Sequence, residues 1–269
     1  MKKTIFITGA SSGLGKETAK LFQSKGWNVI ATMRNPDKET ELTQLEHVTV
    51  LKLDVTNLAN IEETVTKVTQ EHSVDVVFNN AGYGLIGALE AVNDDQIVRQ
   101  IDTNLLGVIR VTKAFIPYFR ENKNGLFLTT TSIGGLLTFP LDSLYHATKS
   151  ALEGWSESLS FELALHNIGI KTIAPGGIKT DFAGASLDMA KHPAYEEGLG
   201  KLFDLMDPNN FEPVEWIAEV VYEAATDGKK QLRYVAGKFA NQLYERRLEI
   251  GVEAAVQEMN TMVFGDLVN

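Results

Sequence analysis

Six short apolar or β-branched runs recur along the first two thirds of the chain: TIFIT at 4–8, NVIAT at 28–32, VTVLKL at 48–53, VDVVF at 74–78, GLFLTT at 125–130 and IKTIA at 170–174. Runs of this length predict strands covered on both faces. Between them, apolar positions at helical spacing predict helices at Gly15 to Lys25, Asn57 to Glu71, Asp94 to Arg120 and Ser143 to His166. Each connection is long enough for a right-handed crossover, so the strands are expected to lie parallel in one sheet with helices on both faces, an α/β architecture. After Pro175 the pattern changes to a Gly- and Met-containing segment (184–210), a helix from about Pro213, a short QLRYVAG strand and a helical tail. No linker, repeat or low-complexity tract interrupts residues 1–269, which predicts one domain with 184–210 as a mobile lid or substrate loop.

Charge narrows the partners. The 269 residues carry 25 Lys plus Arg against 35 Asp plus Glu, a net charge of −10, which disfavours nucleic acid and anionic membranes. There is no cysteine, which excludes disulfides and thiolate metal sites and is consistent with a reducing cytoplasm. No metal site is expected. The opening MKKTIFITGA has too short an apolar run for a secretion signal, and no stretch approaches the roughly 18 apolar residues of a membrane span. A soluble cytoplasmic protein is expected.

The first candidate site follows the first strand. TGASSGLG, residues 8–15, places Gly9, Gly13 and Gly15 at a strand-to-helix turn, with Ser11, Ser12 and Leu14 between them. Such a turn lets backbone N–H groups approach a pyrophosphate at the helix N-terminus. The same letters, GASSG, also fit a G-x-S-x-G nucleophile elbow with Ser11 as nucleophile. The elbow needs an oxyanion donor from a loop after an earlier strand, and here only seven residues precede Thr8; histidines 47, 72, 146, 166 and 192 have no partner placed by a motif. At the end of the second strand, Met33 stands near where an acid would meet an NAD ribose, and Arg34 follows. A guanidinium there binds a 2′-phosphate, so NADP(H) is the expected cofactor and NAD the second choice.

The second candidate site is YHATK, which sets Tyr145 and Lys149 one helical turn apart. A phenol titrates near 10, and a neighbouring ammonium is expected to pull it toward the working range for proton transfer. YVAGK repeats the spacing at Tyr234 and Lys238.

These motifs together resemble the short-chain dehydrogenase/reductase family, single-domain Rossmann-type oxidoreductases, over nearly all of residues 4 to 182. TGASSGLG matches its cofactor turn, NNAG at Asn79 to Gly82 its second signature, and Asn104 in DTNLLG, Ser132 in TTTSIGG, and Tyr145 with Lys149 its catalytic set. Ser132 lies thirteen residues before Tyr145, the family's usual distance, whereas Val221 stands thirteen before Tyr234. The resemblance implies a doubly wound sheet of about seven strands. It makes Tyr145 the general acid in reduction and base in oxidation, and Ser132 the hydrogen-bond partner of the substrate oxygen. Lys149 lowers the tyrosine pKa and holds the nicotinamide ribose, and Asn104 holds a water in a proton relay. Asp54 and Val55 would frame the adenine, and Asn80, Ala81 and Gly82 would line the cofactor trough. In APGGIKTDF, Pro175 and Gly176 would pack near the nicotinamide while Ile178 and Thr180 meet its carboxamide. Thr129, where many relatives have Asn, and the extra Gly177 depart from the common pattern.

NNAGYGLIGALE and TDFAGA are similar to the 17β-hydroxysteroid dehydrogenase-like and retinol dehydrogenase-like branches. Leu85, Ile86, Leu136, Leu137, Phe139, Leu141, Phe182, Leu187 and Met189 are expected near a pocket for an apolar ketone or secondary alcohol, or alternatively in core and dimer contacts. The resemblance also implies a homodimer or homotetramer, packed through the helices at about 94–120 and 143–166. The expected activity is therefore hydride transfer between NADP(H) and a carbonyl or secondary alcohol. The rivals are a cofactor-binding regulator without turnover and, less favoured, a serine hydrolase using Ser11.

Overall fold

The computed structural model describes residues 2–180 and 186–265. Seven strands form one parallel sheet: β1 (Thr4–Thr8), β2 (Asn28–Met33), β3 (Val48–Lys52), β4 (Val76–Asn79), β6 (Gly125–Thr130), β7 (Ile168–Pro175) and β11 (Arg233–Ala236). Their order across the sheet is β11-β7-β6-β4-β1-β2-β3. All six pairings are parallel, so every connection crosses over a face of the sheet.

The alternation within each strand divides the core into two layers. Ile5 and Ile7 of β1, with Val76 and Phe78 of β4, join Leu14, Ala19 and Phe22 of α1 (Gly13–Ser24) and Ile217, Ala218 and Val221 of α7 (Val214–Thr226). Phe6, Val77 and Phe127 point the other way. They pack on Ile61, Val65 and Val68 of α2 (Leu58–Glu71), Val111, Phe115 and Phe119 of α4 (Gly107–Asn122), and Leu159 and Leu163 of α5 (Ser143–Ala164). This is why the strands read as unbroken apolar runs: neither face meets water.

β1 lies between β2 and β4, with registers Ile5↔Val29 and Ile5↔Val76. The chain winds to opposite sides from this strand, and a crevice opens beyond the ends of β1 and β4.

Two regions differ from the expectation. The helix read across 94–120 is broken into α3 (Asp94–Ile101), a π turn at Asp102–Leu106, and α4. The insertion of a residue into the helical turn accompanies a cross-link from Asn104 to the main chain of Tyr83. The segment read as a loop at 184–210 contains β9 (Leu187–Ala190) and α6 (Glu196–Leu205) where it is described. β9 pairs with β5 (Gly84–Gly87) in a small parallel sheet outside the main one. A two-residue pair, β8 (Ile178–Lys179) with β10 (Glu212–Pro213), closes the region beside β7. Helices α8 (Lys238–Ile250) and α9 (Val252–Phe264) form the tail, and Val263 and Phe264 pack with Leu199 and Leu202 of α6.

Candidate active site

The crevice is built from two turns that touch. The Thr8 hydroxyl, at the end of β1, accepts the N–H groups of Asn80 at 2.9 Å and Ala81 at 3.0 Å. The Asn80 amide returns the contact, donating to the carbonyls of Thr8 and Gly9 at 3.2 Å each. Packing leaves no room for side chains: a Cβ on Gly9 would come 2.7 Å from Ala81 Cα, and one on Gly15 would come 2.3 Å from the Gly9 carbonyl oxygen. Gly9 also holds φ at +68°, a conformation glycine adopts without strain.

Ser11 and Ser12 are exposed on this turn. Ser12 is the N-cap of α1 but makes no side-chain cap, so the first N–H groups of the helix face the crevice uncapped. That end of the helix favours an anion. Leu14 buries its side chain in the core, which leaves only its backbone for a ligand. Thr180 faces the turn from the opposite side, its Cβ and Cγ2 each 3.7 Å from the position of a Cβ on Gly13. Pro175 ends β7 beside Ala236, Gly176 donates to the Ala236 carbonyl at 3.0 Å, and Ile178 sits in β8. The turn therefore fits a pyrophosphate: backbone donors, no obstructing Cβ and an uncapped helix end.

Arg34 is exposed beyond β2 and forms no ion pair among the described residues. Two acids of the following loop, Glu39 and Glu41, are already paired with lysines. Glu39 accepts the N–H groups of Glu41 and Leu42 and pairs with Lys16 at 3.1 Å, while Glu41 pairs with Lys16 and Lys20. Asp54 accepts both the N–H and hydroxyl of Thr56, at 3.0 and 2.7 Å, and Val55 is buried in the second core layer.

Across the crevice, α5 carries Tyr145 and Lys149 toward the end of β6. Lys149 is buried and donates to the Thr130 carbonyl at 2.9 Å, with its ammonium 5.6 Å from the centre of the Tyr145 ring. Ser132 accepts the Gly134 N–H at 3.0 Å, and its hydroxyl hydrogen-bonds the Tyr145 phenol. Gly82 lies between Asn104 and Lys149, its Cβ position 3.1 Å from Asn104 Oδ1 and 3.8 Å from Lys149 Nζ. The candidate residues from four separate motifs thus converge on one wall.

The electrostatics require one correction. Burial pushes the Tyr145 phenol above its ordinary range; the Ser132 hydrogen bond opposes this, and the Asp142 carboxyl adds to it. The lysine does not reverse the effect, because its ammonium lies over the ring face and is directed at Thr130 rather than at the hydroxyl. Burial lowers Lys149 itself to about 8, with Glu153 opposing. Burial likewise raises Asp142 to about 8. Tyr145 is therefore a protonated phenol at neutral pH.

Asn104 is buried with both poles of its amide engaged: Oδ1 accepts Tyr83 N–H at 3.0 Å and Nδ2 donates to Tyr83 C=O at 2.8 Å. The second Tyr–Lys pair is structural. Tyr234 lies on β11 and Lys238 opens α8, so four residues of separation do not make one helical turn there. The Tyr234 hydroxyl donates to Asp227 at 2.5 Å and accepts from buried Lys171 at 3.2 Å. Ser11 has no hydrogen bond to a histidine among the described residues. His146, the buried one, is held by the Gly134 carbonyl and the Phe139 N–H instead.

Of the apolar residues expected around a substrate, Ile86, Phe139, Leu141, Leu187 and Met189 form one cluster with α6 and α9. Leu136, Leu137 and Phe139 form another with α8, and Leu85 is fully buried in β5. Phe182 and Asp181 lie outside the described residues. A groove of about 460 Å³ opens between Gly87–Glu90, Leu141, Ser143 and Tyr195. Spacing did not reveal Glu90, Ser143 or Tyr195 as its lining, since they come from three separate segments. It also did not reveal Thr8, Thr130 or Tyr83, whose parts are played by backbone groups or a single hydroxyl.

Comparison with known proteins places this geometry. A family model described as short chain dehydrogenase matches residues 3–191. An uncharacterized oxidoreductase of Schizosaccharomyces pombe is 39% identical over 216 residues, 77% of this chain and 89% of that protein. Human retinol dehydrogenase 8 is 31% identical over 258 residues, covering 86% of this chain and 82% of its own length. The crystal structure of an alcohol dehydrogenase from Thermococcus sibiricus, complexed with 5-hydroxy-NADP, superposes with a TM-score of 0.74 at 27% identity over 88% of this chain and 97% of that one. The chain belongs to the short-chain dehydrogenases and is an oxidoreductase of the CH–OH/C=O class.

Replacing Asn104 by Ala strands the Tyr83 N–H and leaves the Tyr83 carbonyl only the Gln100 amide, at 3.3 Å. The expected cost is about 1–3 kcal/mol of stability, read as a lower urea midpoint at unchanged slope. An unchanged midpoint would show that the Asn104–Tyr83 tie carries no load.

Proposed function

We propose that this short-chain dehydrogenase binds NADP(H) in the crevice and reduces a carbonyl on an apolar substrate, or runs the reverse oxidation with NADP as acceptor. The observation that carries the reading is the convergence of Ser132, Tyr145 and Lys149 on the wall opposite a turn fit for a pyrophosphate. When bound, the nicotinamide supplies or accepts the hydride.

Each side chain then has a defined task. The N–H groups of residues 9–15 and the end of α1 hold the pyrophosphate, with Ser11 and Ser12 hydroxyls at hand. Asp54 and Val55 border the adenine, and Asn80, Ala81 and Gly82 form the floor. Pro175, Gly176, Ile178 and Thr180 border the nicotinamide. Lys149 spends one N–H on Thr130 and has two left for ribose hydroxyls. Ser132, which hydrogen-bonds Tyr145, turns its hydroxyl proton to the substrate oxygen. Tyr145, kept protonated by burial, delivers its proton to the same oxygen as the carbonyl becomes an alcohol. That protonation state favours reduction at neutral pH. Asn104 supports the wall by fixing Tyr83, which holds the turn after NNAG against the π turn.

The free guanidinium of Arg34 favours NADP over NAD, and the apolar clusters around Ile86 and Leu136 favour an apolar substrate. The charge of −10 argues against nucleic acid. No helix among the described residues is long and apolar enough to cross a membrane. A cytoplasmic location agrees with a chain that needs no disulfide. Residues 1–269 act as one domain. We also propose a homodimer or homotetramer, since α5 ends with Phe161 73% and Leu165 81% exposed.

Tyr145→Phe should lower NADPH-dependent reduction of a responsive ketone by about a hundredfold or more while leaving NADPH affinity within about threefold. Retention of over a tenth of the activity would remove Tyr145 as proton donor. Turnover of no carbonyl or alcohol in a broad panel, with NADPH still bound, would favour a regulator. Arg34→Ala should weaken NADPH by about tenfold or more and NADH little, measured by fluorescence titration; equal losses would dismiss the phosphate contact. Sedimentation at micromolar concentration should show an assembly larger than a monomer, reduced by Phe161→Glu; a monomeric wild-type chain would end the oligomer proposal.

A further inference from the structure

We propose that Glu153 is a positioning residue for this site: its carboxylate ties the segment that runs from Thr130 to Ser132 to α5, and it is the negative charge one helical turn from Lys149. The inference rests on the reading of Lys149 as the cation that holds the cofactor ribose.

Tyr145, Lys149, Glu153 and Glu157 follow one another at four-residue spacing along α5, so they share one face of the helix. Glu153 is buried, with 4% of its surface exposed. A buried carboxylate is tolerated only when its oxygens are satisfied, and here every partner comes from a sheet strand or the residue that follows one. Oε1 accepts the Thr131 hydroxyl at 2.5 Å. Oε2 accepts the Thr172 hydroxyl at 3.1 Å and the Arg233 Nε–H at 2.7 Å. Thr131 directly follows β6, Thr172 lies on β7 and Arg233 on β11.

Thr131 is the residue that matters most. It stands between Thr130, whose carbonyl accepts Lys149, and Ser132, which hydrogen-bonds Tyr145. Its own N–H and hydroxyl also reach the Ile173 carbonyl, at 2.8 and 3.1 Å. One carboxylate therefore sets the register between the helix carrying Tyr145 and Lys149 and the strand carrying their partners. Gly135 reinforces the approach, since a Cβ there would lie 2.9 Å from the Lys149 carbonyl oxygen and 3.3 Å from Glu153 Cγ.

The electrostatic half follows from the same placement. Burial drives Lys149 toward the neutral amine, and Glu153 is the charge that opposes it. The other ionisable groups near Lys149 are committed or uncharged at neutral pH. Tyr145 and Asp142 are held protonated by burial, and His146 is lowered by burial and bound to Gly134 and Phe139. Arg233 lies behind Glu153 and is shared with Glu157 at 3.8 Å. Asp102 on the π turn pairs with Arg110, and Lys171 on β7 pairs with Asp227.

The test uses the full-length protein labelled with ¹³C at lysine Cε, with the Lys149 resonance identified by its absence in Lys149→Arg. Lys149 is expected to titrate near 8 in the wild type. In Glu153→Gln the titration should move down by about one pH unit or more, and Glu153→Asp should restore it to within about half a unit. Glu153→Met, which fills the volume and asks for no hydrogen bond, should reproduce the Gln result and serves if the Gln variant does not fold. A Lys149 titration unchanged in the Gln or Met variant overturns the proposal. Because no substrate is involved, this outcome is separable from the oxidoreductase reading: a shift without turnover in any carbonyl panel sinks only that reading, and turnover without a shift sinks only this one.

Discussion

The strand β1 has different neighbours on its two edges, and the site depends on what happens where it ends. The chain leaves Thr8 toward one face of the sheet while the chain from β4 leaves toward the other, so the two turns must separate to open a crevice. They must also stay fixed relative to each other. The Thr8 hydroxyl does this by accepting the N–H groups of Asn80 and Ala81, and the Asn80 amide bonds back to Thr8 and Gly9. Glycine at 9 and 15 is what lets the turns approach so closely. A side chain at either position would push apart the two halves of the floor on which a dinucleotide would lie.

The opposite wall is governed by burial. Low polarity around α5 keeps the proton on Tyr145 and takes it partly from Lys149, so burial moves the two groups in opposite directions, each toward its uncharged form. A neutral phenol hydrogen-bonded to a serine hydroxyl is an arrangement suited to delivering a proton to an oxygen. A lysine near the middle of its titration is a sensitive holder of ribose hydroxyls, and the nearest charge that steadies it is Glu153. Apolar residues of β9, α6 and the tail helix α9 pack with Ile86, Phe139 and Leu141 beside this wall.

Much of this was legible in the letters. GLFLTT reads as a strand and is one from Gly125 to Thr130, because a run covered on both faces has no alternation to misread. Asn57 before an apolar-periodic stretch reads as a helix start, and its side chain does cap α2 by accepting the Asn60 N–H. The spacing of Tyr145 and Lys149 on a helix placed them on one face. Periodicity failed where a tertiary contact overrides it. The apolar count across 94–120 is continuous, yet the helix opens into a π turn where Asn104 bonds to the main chain of Tyr83. GLIG and LDMA are too short and too mixed to show as strands, and they pair only because the fold brings residues 84–87 and 187–190 together. Spacing was also silent on desolvation, so the direction of the Tyr145 shift had to come from its surroundings. The four-residue repeat from Tyr145 to Glu157 was visible all along, but only the sheet partners of Glu153 give it meaning.

The most direct measurement is a crystal structure of the chain with NADPH. The pyrophosphate is expected on the N–H groups of residues 9–15, the 2′-phosphate on Arg34, and the nicotinamide beside the hydroxyls of Tyr145 and Ser132 with Lys149 on its ribose. A dinucleotide bound elsewhere, or a Tyr145 hydroxyl turned away from the nicotinamide ring, would contradict it.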